Sequence, residues 1–235
     1  MSPARMRADG APLVGGRPAA PVVDEADARR LLQRALGALQ KWPEGFRGFQ
    51  ARVRCGDGAR EVVGEVRVFA GGAVESTLPP DPLGTWTEVG LQAVARACTP
   101  SFFKDGAGRF PITLDADDGH PRGRRVRVHP ADGRLWAYRI DDRSRIRLEE
   151  RSDGVRRQVT VFDDFTRACP GRWLPTRWRT FTWDGRTDTL LDAVETEDAV
   201  GRRDHVWLPL RRRAVSLGQG RCQVRWLELD GHAWL

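Results

Sequence analysis

Apolar residues fall at helical spacing just after position 24, then switch to alternation and keep alternating almost to the end of the chain. The Asp24 carboxylate can accept from the free N–H groups of a helix start, and Ala28, Leu31, Leu32, Ala35, Leu36 and Leu39 follow as one apolar stripe. The stripe predicts an amphipathic helix ending near Gln40, stopped by Trp42-Pro43 and Gly45. Phe49, Ala51, Val53 and Cys55 then share one strand face, and Val62, Gly64, Val66 and Val68 the next, with a turn at Gly56-Asp57-Gly58 between them. A short third strand is predicted over Ala73 to Thr77, and Pro79, Pro80 and Pro82 break the pattern. A second helix is predicted over Thr87 to Cys98, with Leu91, Val94, Ala95 and Cys98 on its buried side.

From Phe110 onward the chain reads as hairpin after hairpin. Asp-Gly between alternating runs is a strong hairpin signal, and it occurs at Asp132-Gly133, Asp153-Gly154 and Asp184-Gly185. Trp-Leu-Pro occurs twice, at Trp173-Leu174-Pro175 and Trp207-Leu208-Pro209, each time followed by a basic run. Proline lacks the ladder N–H and belongs at a strand entrance or edge, so each copy predicts the mouth of a strand with an indole beside it. The pattern predicts an α+β fold: a strongly curved antiparallel sheet, a half-barrel of about eleven strands, with two helices covering its concave face. That domain would occupy residues 24–235, behind a disordered leader over residues 1–23 rich in Ala, Pro, Gly and Arg. The leader lacks the apolar core of a secretory signal, and no run is long enough to span a bilayer, so the reading is a cytoplasmic protein.

Charge changes this picture little. The 39 Lys and Arg against 32 Asp and Glu give a net charge of +7, which invites a nucleic-acid partner. Only Lys41 and Lys104 are lysines, and many arginines have acidic neighbours in sequence, so nucleic acid stays the lesser reading. Cys55, Cys98, Cys169 and Cys222 are far apart and form no metal-spaced cluster. His120, His129, His205 and His232 fall in or near predicted turns. The run Asp115 to His120 has the look of a calcium loop, but its glycine is misplaced and Val126 stands where a bidentate Glu is needed. No nucleophile elbow, phosphate loop or dinucleotide fingerprint occurs, so no catalytic residue, metal ligand or cofactor is assigned.

Nine tryptophans are many for 235 residues. Trp136 and Tyr138 share a strand face with Ile140, Phe181 shares one with Trp183, and Trp226 shares one with Cys222 and Val224. These aromatics can fill a core, line a cavity for an apolar ligand, or stack on bases.

The segment Trp42 to Phe49, the strand Gly64 to Val68, the helix ending Ser101-Phe102-Phe103 and the paired Trp-Leu-Pro strands resemble an uncharacterised domain-of-unknown-function family of oxygenic phototrophs and related bacteria. More distantly, the layout resembles the periplasmic lipoprotein carriers, curved half-barrels whose helices cover an apolar cavity for acyl chains. The resemblance implies non-enzymatic binding or carriage of an apolar, lipid-like molecule. Trp136, Tyr138, Phe181, Trp183 and Trp226 are then the wall candidates, with Leu91 and Val94 on the covering helix and Arg179 at the rim. The alternative is an interaction module that meets protein or nucleic acid through a basic outer face over a filled core.

Overall fold

The computed structural model describes residues 22–218 and 220–235, so the expected leader lies outside the described residues apart from Val22 and Val23. In chain order the elements are α1 (Ala26–Gly37), β1 (Gly48–Gly56), β2 (Glu61–Phe69), β3 (Val74–Ser76) and α2 (Pro82–Cys98). Two short 3-10 turns follow, then β4 (Ile112–Leu114), β5 (Arg124–Val128), β6 (Leu135–Ile140), β7 (Ile146–Ser152) and β8 (Arg156–Cys169). The long strands β9 (Arg172–Asp184), β10 (Leu190–Arg203), β11 (Val206–Gly218) and β12 (Arg221–Trp234) complete the chain.

All twelve strands form one open antiparallel sheet in the order β3-β2-β1-β12-β11-β10-β9-β8-β7-β6-β5-β4. Strands β4 to β12 are a hairpin meander, and the first three strands are added to the far side of the last one. Register shifts within β8, β9, β10 and β12 mark bulges, which bend and twist long strands.

Both helices cover the same face, called the inner face below. Cys55 opposes Leu227, which opposes Arg212, which opposes Asp198, and the neighbouring row runs Ala214, Thr196, Trp178, Phe162. Two separate cores result. Under α2 lie Phe49, Val53, Val66, Val68, Leu208 and Leu227, all at most 2% exposed. Under α1, Ala28, Leu32 and Ala35 pack on Ile112, Val126, Tyr138 and Ile140. Between the two cores the inner face of β8 and β9 is mixed, carrying Gln158, Thr160, Thr180 and Thr182 beside Phe162 and Trp178.

The strands number twelve against the expected eleven or so, with the three-residue β4 paired at the edge. Two expectations need correction. Asp24 does not cap α1; its carboxylate accepts from Ile112 N–H at 2.8 Å and from Arg29 at 2.7 Å, so it satisfies the edge of β4 instead. Helix α2 starts at Pro82 rather than Thr87. Asp81 accepts from Leu83 N–H (2.8 Å) and Gly84 N–H (3.0 Å), and Pro82 fits the first turn, where no N–H is needed.

Candidate binding site

The α1–β1 connection ties both Trp-Leu-Pro entrances together. Trp173 N–H donates to Ala38 C=O at 2.7 Å, and Gln40 N–H donates to Trp173 C=O at 2.8 Å. The buried Trp42 then donates through Nε1 to Trp207 C=O at 2.9 Å. With both strand mouths fixed, Leu174 and Pro175 from one copy and Trp207, Leu208 and Pro209 from the other converge beneath the C-terminal half of α2. They enclose an apolar pocket of about 230 Å³, completed by Val94 and Cys98 from the helix and Phe162 and Trp178 from the sheet. Burial pushes the Cys98 thiol up to about 11, so at neutral pH its sulfur stays a thiol and serves as an apolar wall atom.

One buried ion pair stands in the pocket wall. Arg212 reaches both Asp198 carboxylate oxygens (2.7 and 2.6 Å) and Gly90 C=O (2.9 Å), and its guanidinium lies 5.4 Å from the Trp178 ring centre. With three acceptors and an aromatic face, this charge is satisfied inside the protein. A Cβ at Gly90 would come within 3.3 Å of the guanidinium, close enough that the Arg212 side chain would have to shift by a few tenths of an ångström.

A second and larger cavity, about 930 Å³, lies beside α1 and includes Leu36, Leu39, Phe103, Trp136, Tyr138 and Arg172 in its lining. Trp136 Nε1 donates to the Tyr138 hydroxyl at 2.6 Å, and the Arg151 guanidinium lies 4.0 Å from the Trp136 ring centre. Burial raises the Tyr138 pKa, with Glu149 adding to the effect, and keeps the phenol protonated.

The predicted wall residues therefore divide. Val94 lines the α2 pocket, while Leu91 points into the core beside it. Trp136 and Tyr138 line the α1 cavity instead. Phe181, Trp183 and Trp226 are corrected to the outer face. Along β9 the inner side carries Trp178, Thr180 and Thr182, which puts Phe181 and Trp183 on the other side. Trp226 opposes Gly56 one residue out of phase with the inward Leu227, and its indole covers Gly56, where a Cβ would meet the ring at 2.8 Å. Arg179 is also outward, paired with Asp163 at 2.9 Å, so it does not rim the pocket. Of the pocket residues missed in sequence, Leu174, Trp207 and Leu208 carried a signal in the repeated tripeptide itself, while Trp178 lies in the basic run after its first copy.

Elsewhere the charges are mostly matched. On the outer face Arg177 pairs with Glu195 (2.7 Å), Arg54 with Glu228 (2.5 Å) and Arg125 with Glu150 (2.6 Å). In the acidic loop Asp115 pairs with Arg127 at 2.9 Å and Asp118 with Arg139 at 2.5 Å. Among the described residues no group of three or more His, Cys, Asp or Glu is placed to hold a metal ion. No helix of the described residues is long and apolar enough to cross a membrane.

An open antiparallel sheet with two helices on one face, and an apolar pocket under one of them, defines an α+β class. The chain belongs to the DUF3386 family of proteins of unknown function, whose model matches residues 23–229. No curated protein matches it. Among solved structures it is similar to an outer membrane lipoprotein-sorting protein domain from Vibrio parahaemolyticus (12% identity, 88% of this chain and 91% of that one, TM-score 0.33). It is also similar to a LolA superfamily protein from Nitrosomonas europaea (10% identity, 88% and 93% covered, TM-score 0.29). A DUF1329 family protein from Desulfovibrio piger is similar at 8% identity, with 88% and 92% covered and a TM-score of 0.27.

Proposed function

We propose that this protein binds an apolar, lipid-like molecule in the pocket beneath α2, without chemical conversion. The observation that carries this reading is the convergence of both Trp-Leu-Pro copies with Val94, Phe162 and Trp178 around one space. A volume of about 230 Å³ falls below the ~300–1,000 Å³ of sites that enclose drug-sized ligands, so it suits a slender chain or a compact aromatic molecule. Its few polar groups, Arg212 and Asp198, are consumed by each other, which leaves burial of apolar surface as the source of affinity.

The test uses a neutral hydrophobic fluorophore, N-phenyl-1-naphthylamine, with energy transfer from the protein's tryptophans, of which Trp178 and Trp207 line the pocket, as a readout of binding. Saturable binding is expected in the wild-type protein. The variant Val94→Trp fills the pocket from the helix side and is expected to abolish binding while circular dichroism stays unchanged. Absence of saturable binding, or full binding by a folded Val94→Trp variant, rejects the reading.

A further inference from the structure

One charged side chain on the inner face lacks what Arg212 has. Arg225, on β12, sits in the row Trp178–Thr196–Ala214–Arg225, three strand spacings or roughly 14 Å from Trp178, and on the strand next to that of Arg212. Among the described residues it takes part in no ion pair, and its Nε is shielded from solvent with no hydrogen-bond partner. Its guanidinium carbon lies 6.0 Å from the centre of the Trp86 ring of α2.

The helix links this cation to the pocket. Trp86, Gly90, Val94 and Ala97 recur at three- and four-residue spacing and so share one side of α2. Trp86 stands at Arg225, Gly90 at Arg212, and Val94 and Ala97 over the apolar pocket. The side of α2 that meets the sheet thus has an apolar end and a cationic end. The charge between them is already neutralised by Asp198.

We infer that the molecule bound beneath α2 is an anionic amphiphile, with its chain in the pocket and its acidic oxygens against Arg225. This rests on the pocket reading above and adds the chemical class of the ligand. A shielded guanidinium N–H without an acceptor is costly, and a carboxylate or phosphate ester supplies both the acceptor and the opposite charge. Thr196 within the row and inner-face Ser216 beside it add hydroxyls along the same course.

The experiment measures displacement of N-phenyl-1-naphthylamine from the full-length protein by dodecanoic acid, dodecyl phosphate, dodecanol, acetate and inorganic phosphate. Dodecanoic acid and dodecyl phosphate are expected to bind roughly tenfold tighter than dodecanol, the range of one charge-assisted contact. Acetate and inorganic phosphate are expected not to displace the probe. Arg225→Gln should bring both acids down to the alcohol's affinity and leave dodecanol and the probe unchanged, and Arg225→Lys should recover part of the difference. Equal affinity of acid and alcohol in the wild-type protein overturns the inference and leaves the pocket reading intact; this comparison needs no variant. A parallel loss of acid, alcohol and probe binding in Arg225→Gln overturns it in favour of a structural role. Displacement by inorganic phosphate alone points to a free-anion site and also overturns it. Failure of the probe itself to bind removes the pocket reading and this inference with it.

Discussion

Arg212 and Asp198 are the residues whose surroundings most constrain substitution. Their side chains are 11% and 8% exposed, and each is the other's main partner. Asp198→Leu would leave a guanidinium in a largely apolar wall, with only Gly90 C=O as acceptor, and is expected to cost about 3–5 kcal/mol in urea denaturation. The double variant Asp198→Leu/Arg212→Met removes both charges and should regain most of that loss. A double variant as unstable as the single one would show that the pair contributes more than mutual neutralisation. His232 sets a separate, pH-dependent expectation. It is buried against Phe49, and its Nε2–H donates to Pro209 C=O at 3.0 Å. Burial lowers its pKa below the ordinary 6.5, although the Pro209 contact opposes that shift. The folded state therefore binds the proton less readily than the unfolded chain, so this contribution to stability is complete above about pH 6.5 and shrinks as pH falls below it. His232→Gln should flatten that part of the stability profile, measured as denaturation midpoints at pH 7.5, 6.5 and 5.5; an unchanged slope would exclude His232 as its source.

At the scale of elements, α2 is defined by its first turn. Asp81→Ala removes the acceptor for two helix N–H groups and should cost about 1 kcal/mol. Gly84→Ala is more diagnostic, because propensity and packing disagree about its sign. Helix propensity alone favours alanine by up to ~1 kcal/mol, but a Cβ at Gly84 would lie 2.1 Å from Pro79 C=O, a backbone atom that cannot rotate away. A lowered melting temperature is expected, and a raised one would mean that the Pro79 turn yields. The α1 stripe and the Asp-Gly hairpins were legible because each depends on neighbours within a few residues. Asp81-Pro82 was legible in principle as a helix start, yet Pro82 follows Pro79 and Pro80 and reads equally well as the end of a loop. The pairing of β1 with β12 left no local trace, since Val53 and Leu229 meet only through tertiary contact. The outward turn of Phe181, Trp183 and Trp226 was hidden for another reason. On β9 one face carries Trp178, Thr180 and Thr182 and the other Arg177, Arg179, Phe181 and Trp183, so neither face is uniformly apolar and alternation alone cannot say which is inside.

Across the whole molecule, the two cores are joined by the ladder of β7 to β10 and by a few partly buried apolar side chains such as Phe162 and Trp178, because Gln158, Thr160, Thr180 and Thr182 occupy part of the inner face of β8 and β9. The α2 core also depends on both ends of the chain, since β1 to β3 attach to the sheet only through β12. Cooperative units of this kind can open separately. Leu227, 1% exposed on β12, sits between Cys55 and Arg212, and Leu227→Ala should destabilise its surroundings by about 2–5 kcal/mol. Hydrogen exchange in this variant is expected to accelerate in β1, β2, β12 and α2 while α1, β5 and β6 keep their protection. The pocket beneath α2 occupies the joint between these units. Phe162 packs against the α1 core, Leu174 and Leu208 belong with the α2 core, and all three line the same space. A molecule in that space adds apolar contact where the protein has least, and it stabilises the joined state by mass action according to its affinity. Saturating N-phenyl-1-naphthylamine should therefore slow exchange in the α2 unit of Leu227→Ala and extend protection into β8 and β9. Acceleration spread evenly over all twelve strands, with or without the probe, would instead establish one cooperative unit.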